Sequence, residues 1–231
     1  MPTVSGMESA AAALRYWERK QEIVANNLAN VSTDGFKGER VFANVLNGAS
    51  PVAQASTDLS AGSFRQTGVS TDVALQGPGF FVVSTPNGER YSRGGSLEVN
   101  AKHQLVDETG NPVLGEKGPI TLGVGDIQID STGQVSQNGK SIDRLRVENA
   151  PTGTALSHES GMLLIPAGTS VAIPPNQRNV NQGTVEQSNV NSLGSLVDMV
   201  SVQRAYSAVQ KAIVELDSAH ETDATQLAKP F

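Results

Sequence analysis

The sequence predicts an α+β fold: a mainly antiparallel β domain inserted between N- and C-terminal α-helices that pair as a coiled coil. Three observations carry that expectation. Apolar residues step by three and four at both ends of the chain, the middle breaks into short apolar runs punctuated by turn residues, and polar stretches join the parts. The 231 residues are 38% hydrophobic, enough for a real core, and the 23 glycines and 11 prolines crowd the middle rather than the ends.

The first helix is expected within Ser5–Val31. Met7, Ala10, Leu14, Trp17, Val24, Leu28 and Val31 mark one narrow stripe, with Gln21 its one polar break. A stripe this narrow buries little alone, so the helix needs a partner. Arg15, Arg19 and Lys20 alternate with Glu18 and Glu22 at helical spacing, which reads as a solvated face with local ion pairs.

The helix closes in Asn26–Lys37, NNLANVSTDGFK, a junction where the chain turns. Asn26, Asn27 and Asn30 are placed to satisfy backbone groups there. Gly35 permits a left-handed turn, and Phe36 anchors the exit. Residues 37–62 lose all periodicity and are expected as an extended linker, with Val41, Phe42, Val45 and Leu46 as a short apolar anchor. The expected domains are 1–36 with 187–231 as the helical pair, and 63–186 as the β-rich part with its extended return.

Within that part, strands are expected at 69–75, 80–83 and 89–97, with Pro86-Asn87-Gly88 turning the second into the third. The run 89–97 alternates poorly, because Arg90 and Tyr91 are adjacent and Gly94-Gly95 lie inside it. Further strands are expected at 104–107, 120–122, 127–129, 133–136, 145–147 and 162–165. After the polar stretch 174–191, the helical period returns at Met199, Val202, Tyr206, Val209, Ile213 and Leu216. Leu193, Leu196, Val197 and Val200 widen its apolar face at the start. Ser195 with Asp198 fits a capping box, and a start near Asn189 fits equally.

Several function classes find no support. A net charge of −6 argues against a nucleic-acid partner, which needs clustered cations. The chain has no cysteine, so thiolate sites and disulfides are excluded. No apolar run reaches membrane-spanning length, so no membrane insertion is expected, and the N-terminus does not read as a cleaved secretory signal. His103, His158 and His220 lie in separate segments without metal-ligand spacing, and are expected to be solvated or casually hydrogen-bonded. Gly77-Pro78-Gly79 and Gly123-Val124-Gly125 lack the third glycine of a phosphate cradle. No nucleophile, metal or cofactor motif appears, so no enzymatic role, metal or cofactor is expected.

Asn26–Lys37 resembles the N-terminal signature of the flagellar basal-body rod and hook proteins. Three further blocks agree in order: Gly77-Pro78-Gly79-Phe80-Phe81, Tyr91 to Leu97, and Gly183–Asn191 with Glu186, Ser188, Asn189 and Val190. Met199-Val200 and Gln203-Arg204-Ala205-Tyr206 follow, as in that family's C-terminal helix. The short stretch between Phe42 and Phe64 makes the chain most like the F-type proximal-rod subunit, with the distal-rod G-type or a hook-type axial protein as the alternative. The resemblance implies a structural protein, exported unfolded by the flagellar export apparatus and polymerised with other rod subunits into the periplasmic drive shaft of the basal body. It also implies that the terminal helices form the layer around the export channel. A β-rich surface or tail-like protein would share the strands but needs no matched terminal helices. A glycosidase would need paired carboxylates in a cleft.

Overall fold

The computed structural model describes residues 6–44, 52–150, 156–166 and 168–227, without the side chains of Met7, Ala43, Asn44, Val52, Ser160, Leu216, Asp217 and residues 219–227. The fold is α+β. Helix α1 (Gly6–Ala29) is followed by β1 (Glu39–Asn44), β2 (Val52–Thr57), β3 (Phe64–Gln66), β4 (Asp72–Leu75), β5 (Phe80–Thr85), β6 (Gly88–Ser92) and β7 (Gly94–Ser96). Short strands β8 (Glu98–Val99), β9 (Leu105–Val106), β10 (Leu114–Gly115) and β11 (Gly118–Pro119) come next, then β12 (Ile127–Ile129), β13 (Gln134–Gln137), β14 (Lys140–Arg144) and β15 (Val147–Asn149). Strands β16 (Ser157–Ser160), β17 (Leu163–Ile165), β18 (Val171–Ala172), β19 (Val180–Gln182) and β20 (Thr184–Glu186) lead to helix α2 (Ser192–Leu227).

The chain divides into two compact units. One gathers α1, Glu39–Ser56 and α2; the other gathers Asn30–Gly38 and Thr57–Val190. In the first unit α1 packs against both α2 and β1. Ala12 and Ile23, off the expected stripe, are buried like Val24. Residues 37–62, expected as an extended linker, instead carry β1 and β2 paired in a two-stranded sheet. Their alternation is mostly polar, and backbone pairing leaves no hydrophobic signature. Of the expected apolar anchor there, Phe42 is exposed, and Val45 and Leu46 fall outside the described residues.

The second unit is built from short antiparallel ladders. Its largest sheet has six strands in the order β16-β17-β6-β5-β15-β18, and a three-stranded sheet runs β19-β4-β7. Strands β5 and β6 form a tight hairpin, with Thr85 opposite Gly88 across Pro86-Asn87. The expected strand 89–97 is broken at Arg93: the chain leaves the six-stranded sheet as β6 and enters the three-stranded sheet as β7. Gly94 is required at that step, since its φ is +102 and a Cβ there would lie 2.2 Å from the Val73 carbonyl oxygen. Its core joins Val73, Leu75, Phe81, Leu105, Leu122, Val135, Leu145 and Val147, with a satellite of Phe80, Val82, Tyr91, Leu114, Leu156 and Leu164. The expected strand at 120–122 is reduced to a single bridge, Gln104 to Thr121.

Candidate functional site

The junction turns before it anchors. Helix α1 ends at Ala29, and the Asn30 carbonyl accepts from the Thr33 amide at 3.1 Å while the Thr33 hydroxyl donates to Asn30 Oδ1 at 3.2 Å. Val31, expected to close the apolar stripe of the helix, therefore lies beyond the helix in this turn. Upstream, the Asn27 carboxamide bonds both backbone groups of Glu39, accepting from the amide at 2.9 Å and donating to the carbonyl at 2.8 Å. It thus fixes the start of β1 on the last turn of α1. Asn26 is exposed on α1.

After the turn, Gly35 adopts φ +75, and its amide donates to the Glu186 carbonyl at 2.6 Å. The next two side chains go inward. Phe36 is 1% exposed, with its ring stacked on His158 at 4.9 Å between centroids. Lys37 is 2% exposed, and its ammonium donates to Glu186 Oε1 at 2.7 Å and to the Ser60 carbonyl at 2.6 Å.

Glu186 is the hub. Its Oε1 also accepts from the Gly62 amide at 2.9 Å, and its Oε2 accepts from Arg93 Nε at 2.9 Å. The rest of the Arg93 guanidinium donates to the carbonyls of Leu75, Gly77 and Gly79, and its Cζ lies 5.7 Å from the Phe80 ring centre. One carboxylate thus joins the junction, the loop after β2, the β6/β7 break and the end of β20. Burial pushes the Lys37 ammonium below the usual lysine range; the Glu186 hydrogen bond and charge oppose this, and Arg93 adds to it. A buried arrangement of this kind tolerates no missing member, because an unpaired ion left inside costs several kcal/mol, about 3–5.

Asn189 closes the same cluster. Its Oδ1 accepts from the Gly38 amide at 2.8 Å, and its Nδ2 donates to the carbonyls of Asp58 and Ser60 at 2.8 and 3.0 Å. Ser188 accepts from the Val190 amide at 3.3 Å and steadies the exit. Asn191 then caps α2, its Oδ1 accepting from the Gly194 amide at 2.7 Å. The helix begins at Ser192, between the two starts that the sequence allowed.

On the helices, Val24 and Val202 are buried, while Leu14, Trp17, Leu28, Met199, Tyr206, Val209 and Ile213 are half-buried. The side chains of Met7 and Leu216 fall outside the described residues. Gln203 and Arg204 are exposed on α2. A second set, Leu193, Leu196, Val197, Val200 and Val214, is exposed, Leu193 at 71%. At about 100° per residue these lie on the side of α2 opposite Val202 and Val209.

Sequence reasoning did not single out Lys37, Arg93 or His158. The first two lie inside recognised blocks, but a charged residue reads as solvated until its burial is known. His158, expected to be casually bonded, is instead stacked on Phe36, with ring nitrogens 3.0 Å from the Gly161 carbonyl oxygen and 2.6 Å from that of Lys37. No local pattern marks it. Among the described residues there is no group of carboxylates and histidines able to hold a metal ion, and no helix long and apolar enough to cross a membrane.

The chain thus contains a two-helix unit with an exposed apolar face and a β unit that holds its own buried ions, features that suit a structural protein. Family models match three segments: a flagella basal body rod protein model at residues 7–37, the D1 domain of the flagellar hook protein FlgE/F/G at 74–137, and the C-terminal part of the basal body rod FlgEFG proteins at 181–227. Each of the three carries one member of the buried trio: Lys37, Arg93 and Glu186 respectively.

Similar proteins include the flagellar basal-body rod protein FlgF of Caulobacter vibrioides, 31% identical with 84% of this chain and 85% of that protein covered. FlgF of Escherichia coli is 31% identical, covering 86% of this chain and 88% of its own. The rod protein FlgG of Buchnera aphidicola from Schizaphis graminum is 32% identical, covering 83% and 87%. The chain belongs to the flagellar basal-body rod protein family and is a structural subunit of the basal-body rod.

Proposed function

We propose that this subunit polymerises with other rod subunits through its terminal helices, paired as a coiled coil, into a periplasmic drive shaft that transmits torque and encloses the export channel. It is delivered unfolded by the flagellar export apparatus. The observation that carries this reading is the doubled apolar face of α2. One side meets α1, while the opposite side exposes Leu193, Leu196, Val197 and Val200 to water. Each such side chain gains roughly 1.5–3 kcal/mol on full burial, so a neighbour covering them is strongly favoured. Contacts of this heterologous kind, when they do not close, extend into a helical tube.

The proximal-rod position fits the F-type relatives, and the G-type likeness keeps a distal-rod position as the second reading. Swimming tests the assembly. Leu14, Val24 and Leu28 changed to Asp, or Leu193 and Val197 changed to Asp, abolish motility with the chain still exported, while Asp at Ala212 leaves swimming intact. Equal swimming by all three sets sinks the reading.

A further inference from the structure

Charge is spread unevenly over the β unit. The chain runs extended from Asn111 to Gly115 between two turns. At one end the Asp107 carboxylate accepts from the Asn111 amide at 2.8 Å, and at the other the Glu116 amide donates to the Arg144 carbonyl at 2.9 Å. Five extended residues span about 17 Å, so the two turns stand at opposite ends of this run.

The first end is crowded with carboxylates: Asp34, Asp107, Asp72 and Glu98 all press their charge on Glu108. Two of these are occupied, Asp34 by Arg65 at 2.9 Å and Asp107 by the amides of Thr109 and Asn111. Glu98 and Glu108 are exposed, and Asp72 is 4% exposed. Among the described residues no cation pairs with any of these three. The second end has the opposite imbalance. One oxygen of Glu116 serves two guanidiniums, 3.4 Å from Arg178 Nη2 and 3.7 Å from Arg144 Nη1. Asp143, the other carboxylate there, is taken up by the amides of Arg144 and Lys117. Arg178 is fixed by the Ile173 and Leu145 carbonyls, whereas Arg144 makes one 3.3 Å hydrogen bond, to Gln134 Oε1, and its Nε has no partner. Lys117 is exposed beside it. Guanidiniums favour carboxylate partners, and this pair has less than one carboxylate each.

We propose that the β units of two copies meet head to tail, with Glu108, Glu98 and Asp72 of one copy facing Arg144, Arg178 and Lys117 of the next. A second copy is the partner that brings the missing charge to both ends at once. Because the two surfaces differ, the contact is heterologous and continues from copy to copy. The inference rests on the reading that copies polymerise, and it adds a charged contact outside the helices.

The chain has no cysteine, which gives a clean test. Glu108→Cys and Lys117→Cys in one chain are too far apart to bridge within a copy, since a disulfide needs Cα atoms within about 7 Å. Mild oxidation of basal bodies from cells making this variant is expected to give a ladder of linked chains on non-reducing gels, and neither single-cysteine variant gives one. Adding Glu98→Lys cuts the linked fraction about fivefold, and Arg144→Glu in the same chain restores it, because the two ends match again. A variant that enters basal bodies but stays monomeric on oxidation overturns the contact and leaves the helix reading standing. A linked fraction that Glu98→Lys does not change overturns it too. Should the variant not enter basal bodies, the concentrated purified chain carrying Leu193→Asp and Val197→Asp decides: a ladder supports the contact without the helices, and monomers overturn it.

Discussion

The two units solve opposite problems. The β unit buries charged side chains, Lys37, Arg93 and Glu186 among them, and supplies hydrogen-bond partners for these three from its own chain. The helical unit does the reverse, leaving Leu193, Leu196, Val197, Val200 and Val214 of α2 exposed. A unit that satisfies its buried ions internally is complete by itself. A helix apolar on two opposite sides is complete only when something covers the second side. Under the proposed assembly, one part of the chain is finished on folding and the other on assembly.

The sharpest way to break this comparison is to remove the hub. Glu186→Ala strands the Lys37 ammonium and the Arg93 guanidinium, and is expected to cost the β unit about 3–5 kcal/mol in urea denaturation followed by circular dichroism. A loss below about 1 kcal/mol would mean that water reaches the cluster and that the β unit is not locked from within.

A smaller effect of the opposite sign is expected at Glu108. Partial desolvation raises its carboxyl above the usual range, and the nearby charges of Asp34, Asp107, Asp72 and Glu98 raise it further. A carboxyl whose folded value lies above its unfolded one costs stability while ionised. That cost is present at neutral pH and disappears as pH falls through the raised value toward the unfolded one. Glu108 is exposed, so water screens the repulsion. Glu108→Gln should therefore stabilise the chain at pH 7 by no more than about 1 kcal/mol, with the gain gone near pH 4. Thermal melts at the two pH values check this. Asp130 behaves oppositely: burial opposes its ionisation, but the Thr132 hydroxyl and the amides of Gln134 and Thr132 outweigh it and hold the carboxyl low. Its contribution is present above the unfolded value and is lost as pH falls through the folded one.

The smallest effect on the free chain belongs to the exposed side of α2. Leu193→Asp with Val197→Asp should change the stability of the unassembled protein by under about 0.5 kcal/mol while removing its capacity to assemble. A large destabilisation would show that these residues are already buried in the free chain, and the contrast between the units would fail.

How much of this was legible in the sequence differs between the same two regions. On α2 the less exposed side could be read directly, because Met199, Val202, Tyr206, Val209 and Ile213 repeat at helical spacing and are buried or half-buried. On α1 the expected stripe is narrower than the buried surface: Ala12 and Ile23 are buried off it, and α1 meets β1 as well as α2. The pairing of β1 with β2 left no apolar pattern to read. In the β unit the ends of the clasp were visible as motifs, but not their meeting. Lys37 and Glu186 are separated by 149 positions, and nothing local tells that a lysine will be buried. Poor alternation through 89–97 did carry information, since it marks where Arg93 turns the chain from one sheet to another. His158 carried none, because its partners are two backbone carbonyls and one ring brought together only by the fold.

The central claim is that the β unit is finished in the free chain while α2 waits for neighbours. Hydrogen exchange on dilute and assembled protein tests it most directly. The expected result is strong protection of the amides of Gly35, Gly62 and Gly183 in both states, with protection through 193–214 rising sharply only on assembly. Full protection of α2 in the dilute chain would contradict the account.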